Sequence, residues 1–165
     1  MFVNYFLVAV ALAAYFERVT SVEWSCTAAS PETSGTFTCT NDCTMTSAGV
    51  SLSGDMSITG DSTITTITAK TSGSRRHFYV ASGDSHTLTL KWLKLTGGAS
   101  VMFGGSIDLE GSGSTLHATS CVFFENHAIN GGAVFGKDGT SIQLYHTNIT
   151  DNTAADTPPA VYGIG

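Results

Sequence analysis

The chain has 165 residues, enough for one domain with a hydrophobic core, and 42% of them are hydrophobic, a share that excludes a disordered chain. Only 12% are charged, and the net charge is −6 with seven basic residues. The polar surface must therefore consist mainly of Ser, Thr, Asn and Gly, which favour strands and tight turns over helices. The basic residues form no stripe that could follow a phosphate backbone, so we expect no nucleic-acid partner.

The N-terminal segment 1–21 is typical of a secretion signal. Residues 5–16 form an uncharged and mostly apolar run, which is short of the roughly 20 residues that a membrane span needs. Glu17 and Arg18 end the run, and small residues follow at a plausible cleavage point. We therefore predict a signal peptide over 1–21 and a secreted or cell-surface protein. A buried N-terminal strand or an uncleaved anchor is the alternative.

Three of the four cysteines, Cys26, Cys39 and Cys43, lie ahead of the repeats. An even number of cysteines in an exported chain favours disulfides, and four cysteines allow three connectivities. We expect these three to staple an N-terminal cap over residues 22–50, and Cys121 to be a buried thiol. The spacing of Cys39 and Cys43 differs from the CxxC pair of zinc sites, and no histidine lies near, so we predict no metal there.

A repeat of about 27 residues organises the chain from residue 51 to residue 165. The tetrapeptide Gly104–Ile107 recurs as Gly131–Val134 and, in a degraded form, as Pro158–Val161, at intervals of 27 residues. Two columns of apolar residues recur at nearly the same interval, namely Leu88, Leu116 and Ile142, and Leu95, Phe123 and Ile149. Self-similarity at a fixed period indicates a stacked array.

Local patterns within each repeat predict strands. Residues 86–95 and 140–149 alternate apolar and polar side chains, which is the period of a β-strand, and glycine-rich turns separate such segments. A unit of this length is typical of one coil of a parallel β-helix, and right-handed winding is the default for parallel strands joined by crossovers. We therefore predict an all-β fold, a right-handed parallel β-helix (a solenoid) with an open C-terminal end.

The repeat motifs resemble those of the polymorphic outer membrane protein type of β-helix, within the pectin-lyase-like superfold. That family is marked by the tetrapeptides FxxN and GGA followed by Ile, Val or Leu. Gly131-Gly132-Ala133-Val134 and Phe123-Phe124-Glu125-Asn126 match fully, and Ile149-Thr150-Asp151-Asn152 matches with Ile in place of Phe. The resemblance implies surface display, self-assembly or adhesion, with surface or matrix proteins or glycans as partners. We expect an array truncated at residue 165 whose open end associates with another copy end to end or frays. The repeats are not followed by the family's outer-membrane barrel, so its anchoring mechanism is not carried over.

Candidate chemical sites are sparse. Glu125 and Asp151 fall in one column on neighbouring coils, and stacked coils place such residues roughly 5 Å apart, which suits an acid pair or a calcium site. A solvated turn is the alternative interpretation, and the one we favour. Lyase chemistry would need a basic residue beside carboxylates, but the sequence suggests no acid in phase with Arg75-Arg76. Asn148 begins a glycosylation sequon, usable in a eukaryote.

The sequence predicts a binding or structural role more readily than a catalytic one. Gly131–Lys137 fits the phosphate-loop pattern but lacks the following Ser or Thr and a helix, so we expect no nucleotide and no cofactor. We predict a secreted or cell-surface structural or adhesive protein without catalytic activity of its own. A carbohydrate-binding or carbohydrate-cleaving β-helix is the alternative. An exposed aromatic platform beside carboxylates would favour the alternative, and a smooth surface of Ser, Thr and Asn would favour the first.

Overall fold

The computed structural model describes residues 22–28, 31–61, 63–69, 73, 75–157 and 160–163. The predicted signal peptide, and the two prolines of the third tetrapeptide, lie outside the described residues. Every helix or strand in the described part is a β-strand. Accordingly, those residues contain no apolar helix of membrane-spanning length.

The strands form one leading strand, β1 (Val22–Glu23), and then five successive sets. The sets are β2 (Gly35–Cys39), β3 (Cys43–Thr44) and β4 (Val50–Ser51); β5 (Met56–Gly60), β6 (Thr65–Thr68) and β7 (Phe78–Val80); β8 (Thr87–Lys91), β9 (Leu93–Thr96) and β10 (Ile107–Leu109); β11 (Thr115–Thr119), β12 (Val122–Phe124), β13 (His127–Asn130) and β14 (Val134–Gly136); and β15 (Ser141–Tyr145), β16 (Asn148–Thr150), β17 (Thr153–Thr157) and β18 (Val161–Gly163).

Strands of successive sets pair in parallel, which makes the chain a β-solenoid. Sheet A has the order β1-β2-β5-β8-β11-β15, sheet B the order β3-β6-β9-β12-β16, and sheet C the order β4-β7-β10-β14-β18, while β13 pairs with β17. The chain visits sheets A, B and C in turn, so it completes four turns between β2 and β15. The predicted all-β solenoid of parallel strands, with coils of about 27 residues, is confirmed.

The inward columns are those that the repeat predicted. Sheet A stacks Leu88, Leu116 and Ile142, and sheet B stacks Leu95, Phe123 and Ile149. The members of both columns in the third and fourth sets are fully buried, whereas those of the last set are partly buried. A residue between two coils loses water on both sides, and each Å² of apolar surface so buried stabilises by roughly 25 cal/mol.

The segment 22–50, predicted as a cap, also contributes strands to the solenoid. β2, β3 and β4 pair in parallel with β5, β6 and β7. The alternation in β2 turns Phe37 and Cys39 into the core and leaves its threonines outside. The parallel sheets therefore begin ahead of the predicted boundary at residue 51.

One disulfide forms within this first part of the solenoid. It joins Cys26 to Cys43, whereas Cys39 and Cys121 are buried free thiols. Burial, reinforced by the nearby carboxylate of Glu23, raises the pKa of Cys39 to about 11, so this thiol is protonated and unreactive at neutral pH.

The asparagine of the FxxN motif has a structural role at the corner that follows sheet B. Asn126 is fully buried. Its Nδ2 donates to the carbonyl of Leu95 and to Oδ1 of Asn152, at 3.1 and 2.9 Å, and its Oδ1 accepts a bond from the amide of Gly98. The amide side chains thus satisfy backbone groups where the chain leaves the ladder. In the GGA motif, a Cβ on Gly132 would lie 2.5 Å from the carbonyl oxygen of Thr153, so the close approach of the coils requires glycine.

Candidate functional site

The outward side chains of sheet C form a file unlike any that the sequence analysis singled out. The file consists of Ser51, Tyr79, Asp108, Phe135 and Tyr162. Each is the residue that alternation turns away from the core. Asp108 and Phe135 are nevertheless buried, with 0% and 4% exposure, because other side chains cover them.

Three aromatic rings stack on this face. The ring of Phe135 lies between those of Phe103 and Tyr162, with centroid separations of 4.4 and 5.7 Å and interplanar angles of 26° and 9°. Each such pair contributes about 0.5–1.5 kcal/mol beyond the burial of its surface. Phe135 and Tyr162 are register neighbours in sheet C, whereas Phe103 comes from the connection between β9 and β10 and bridges Asn130 of β13.

A cavity of about 350 Å³ runs beside the rings. Its lining residues are Phe103, Glu110, Asn130, Phe135, Lys137 and Tyr162. The amide of Lys137 donates to the carbonyl of Leu109 at 2.9 Å, which sets Lys137 on the coil next to Glu110. An apolar wall with a few polar groups at its edge is the usual composition of a small-ligand site, and here the edge carries one charge of each sign.

A polar network continues the site toward the N-terminal coils. Nη1 of Arg76 forms a salt bridge of 2.6 Å with Oδ2 of Asp108, and Nη2 donates to Oγ of Ser100 at 2.9 Å. The guanidinium lies 5.1 Å from the ring centroid of Tyr79, whose hydroxyl donates to Oε2 of Glu110 at 3.2 Å. Burial raises the pKa of Asp108 to about 7, while the charge of Arg76 opposes the rise and that of Glu110 adds to it.

The carboxyl group of Asp108 is not placed to contact a ligand. The side chain of Asp108 has 0% exposure, one oxygen is held by Arg76, and Oδ1 has no partner among the described residues. A general acid or nucleophile must reach the substrate, and glycoside hydrolysis needs two such carboxyl groups. Among the described residues, Glu110 is the one carboxylate that lines the cavity.

The structure places the predicted acid pair elsewhere. Glu125 and Asp151 follow the register pair Phe124 and Thr150 directly, so they do lie on neighbouring coils, at a corner where both have positive φ. Both are exposed. Within the described ranges, no three His, Cys, Asp or Glu side chains come together as metal ligands would, and calcium binding at this pair stays a prediction. Asn148 is exposed on β16.

The residues around the cavity were missed, although part of the signal was in the sequence. Asp108, Phe135 and Tyr162 each follow one of the three repeated tetrapeptides, so the 27-residue period extended by one position would have found them. Phe103 gave no such signal, because it lies in an irregular connection. The expectation that no acid is in phase with Arg75-Arg76 did not reveal this salt bridge, because Asp108 is in register with Tyr79 and the long side chain of Arg76 reaches it from outside that position.

The geometry stands by itself, since no protein-family model, no curated protein and no solved structure matches the chain. What distinguishes the site is an aromatic-lined cavity with balanced charge on one face of a β-solenoid.

Proposed function

We propose that this protein is a secreted or cell-surface adhesive β-solenoid that binds a neutral glycan in the cavity beside Phe103, Phe135 and Tyr162. The observation that carries the proposal is the stack of three rings along a 350 Å³ cavity edged by polar groups. Sugars present C–H surfaces that pack on aromatic rings and hydroxyls that hydrogen-bond, and this cavity offers both kinds of partner.

The charges around the cavity favour a neutral ligand. Arg76 and Asp108 neutralise each other in a salt bridge, and the cavity's edge carries Glu110 and Lys137, one of each sign. An anionic ligand would find only the single positive charge of Lys137 among the described residues that line the cavity. A cationic ligand would find no excess of carboxylates within the cavity. An uncharged sugar avoids both penalties.

Two features of the sequence support an adhesive role outside the cell. The segment 1–21 is typical of a secretion signal, and the GGA and FxxN motifs resemble those of surface-displayed β-helices. A rigid solenoid whose cavity holds a ligand without converting it suits attachment. Glu110 alone cannot perform the two-carboxylate chemistry of glycoside hydrolysis.

A glycan array followed by titration tests the proposal. We expect the purified protein to bind at least one neutral glycan, and Tyr162→Ala and Phe103→Ala each to weaken binding about tenfold, which corresponds to about 1.4 kcal/mol. Tyr145→Ala is the matched control, because Tyr145 is an aromatic residue on sheet A with 59% exposure. Circular dichroism would verify that all three variants fold.

The proposal fails if no neutral glycan binds, or if the two cavity variants bind as tightly as the control. An assay for new reducing ends separates binding from catalysis. We expect none to form on the bound glycan. Cleavage that is lost in Glu110→Gln would instead assign the cavity to an enzyme.

A further inference from the structure

The corner between sheets A and B holds an unexpected residue. Trp92 joins β8 to β9 with a φ of 53°, and the equivalent positions of the next two sets are Ser120 and His146, with φ of 53° and 50°. The solenoid therefore imposes left-handed backbone here, which costs a residue with a side chain roughly 1–2 kcal/mol. A tryptophan gains little in return from the core, because Trp92 is only half-buried. Part of Trp92 is exposed to solvent.

Two lysines on either side of Trp92 in sequence lie over aromatic rings. Nζ of Lys91 lies 4.0 Å from the ring centroid of Trp92, and Nζ of Lys94 lies 4.2 Å from that of Phe124. The salt bridge found among the described residues joins Arg76 and Asp108, so neither lysine is neutralised by an acid there. Cation–π contact stabilises an ammonium group while leaving N–H groups free to donate to a ligand.

The register neighbours of the two lysines on the C-terminal side include no acidic residue, and the exposed Glu125 follows Phe124 at the next corner. The outward neighbours of Lys91 and Lys94 on the next two coils are Thr119, Tyr145, Val122 and Asn148. On the N-terminal side a carboxylate lies closer, since Oδ1 of Asp42 accepts a bond from the amide of Thr66, the neighbour of Lys94. Thr119 and Val122 are the register neighbours of Lys91 and Lys94 on the side away from Asp42, so an anion meets less repulsion there.

We propose that the corner patch, defined as Lys91, Trp92, Lys94 and Phe124, binds an acidic polysaccharide. Carboxylate or sulfate groups accept hydrogen bonds from the two ammonium groups, and a sugar ring lies against Trp92. The patch is separate from the cavity on sheet C, so this proposal can be tested independently of the neutral-glycan site. Phospholipid headgroups offer similar charge, but the hydroxyl and amide groups of Thr119 and Asn148 suit a sugar chain better than a membrane interior.

Binding of the full chain to heparin and to polygalacturonate, at several salt concentrations, tests the inference. We expect Lys91→Gln combined with Lys94→Gln to weaken binding of at least one of them about tenfold at low salt. It should also flatten the salt dependence, because fewer ionic contacts form. Trp92→Ser introduces the residue type that the next coil has at the equivalent position, Ser120. It should fold, and weaken binding several-fold with the salt dependence unchanged.

Arg75→Gln is the matched control, since it removes one positive charge outside both the corner patch and the cavity. Compared with Lys94→Gln, it should leave polysaccharide binding unchanged. Equal weakening by both would show an effect of net charge, and unaltered binding in the double lysine variant would place the ligand elsewhere. Absence of binding to both polymers, or binding only to phosphatidylserine vesicles, would also overturn the proposal. Neutral-glycan binding in the same variants reports separately on the cavity.

Discussion

The outer faces of sheet A and sheet C rest on the same parallel backbone, yet they present different chemistry. Sheet A turns mainly small hydroxyl residues outward, namely Ser57, Thr59, Thr87, Thr89, Thr115, Thr119 and Ser141. Sheet C turns out Tyr79, Asp108, Phe135 and Tyr162, beside a cavity. The expected surface of small hydroxyl residues is therefore found on sheet A and not on sheet C. Both faces share the same parallel backbone, so the outward side chains determine what each face can bind.

The difference between the faces originates in the connections. Sheet A passes to sheet B through a single residue, Trp92, in the third set, whereas 97–106 lie between β9 and β10. A long connection can fold over its sheet, and this one brings Phe103 onto Phe135 and Ser100 to Arg76. Short connections leave the outward residues of sheet A uncovered.

Breaking the salt bridge of sheet C should have the largest effect. In Arg76→Met at pH 8, the buried carboxylate of Asp108 loses its partner. Removal of one member of a buried pair typically costs about 3–5 kcal/mol. Urea denaturation would measure the loss in the free energy of unfolding. A loss below about 1 kcal/mol would mean that Asp108 is hydrated in solution, and the contrast with sheet A would disappear.

Lowering the pH should reduce the free energy of unfolding through His77, which directly precedes β7. His77 is fully buried, with Nδ1 at 3.0 Å from Oγ of Ser106 and Nε2 at 3.0 Å from the carbonyl of Ile67. Burial lowers its pKa from 6.5 to about 4. The folded state then binds fewer protons than the unfolded chain, so stability is lost as the pH falls from about 6.5 to 4, by about 3 kcal/mol.

The buried carboxyl of Asp108 contributes with the opposite sign. Its pKa is raised from 3.8 to about 7, so the folded state binds more protons and stability is gained as the pH falls through that interval. We expect the two contributions to offset each other in the unaltered protein. His77→Gln should then gain stability, relative to it, as the pH falls from 7 to 4, and Asp108→Asn should lose stability. Urea denaturation at four pH values would test this, and identical profiles in all three proteins would contradict it.

The smallest effect is expected on sheet A. Thr89 faces outward between Ser57 and His117 in register, and Thr89→Ala should change the free energy of unfolding by less than about 0.5 kcal/mol. Neutral-glycan binding should also stay unchanged. A cost above 1 kcal/mol would show that the hydroxyl face contributes to the fold as much as the covered face does.

The sequence by itself determined the architecture, because in a solenoid each coil repeats the packing problem of the previous one. The 27-residue interval placed Leu88 on Leu116 and Leu95 on Phe123 without any knowledge of the structure. It also implied the file of Asp108, Phe135 and Tyr162, since outward residues share the period of inward ones.

Only the tertiary structure decided what that file does. Arg76 reaches Asp108, and Phe103 reaches Phe135, each across 32 positions of sequence, so neither contact has the 27-residue period of the repeat. The pairing of Cys26 with Cys43 was likewise one of three connectivities until the first coil was placed. A period predicts contacts that recur from coil to coil. Contacts made once, by a long side chain or an irregular connection, depend on where the whole chain has folded.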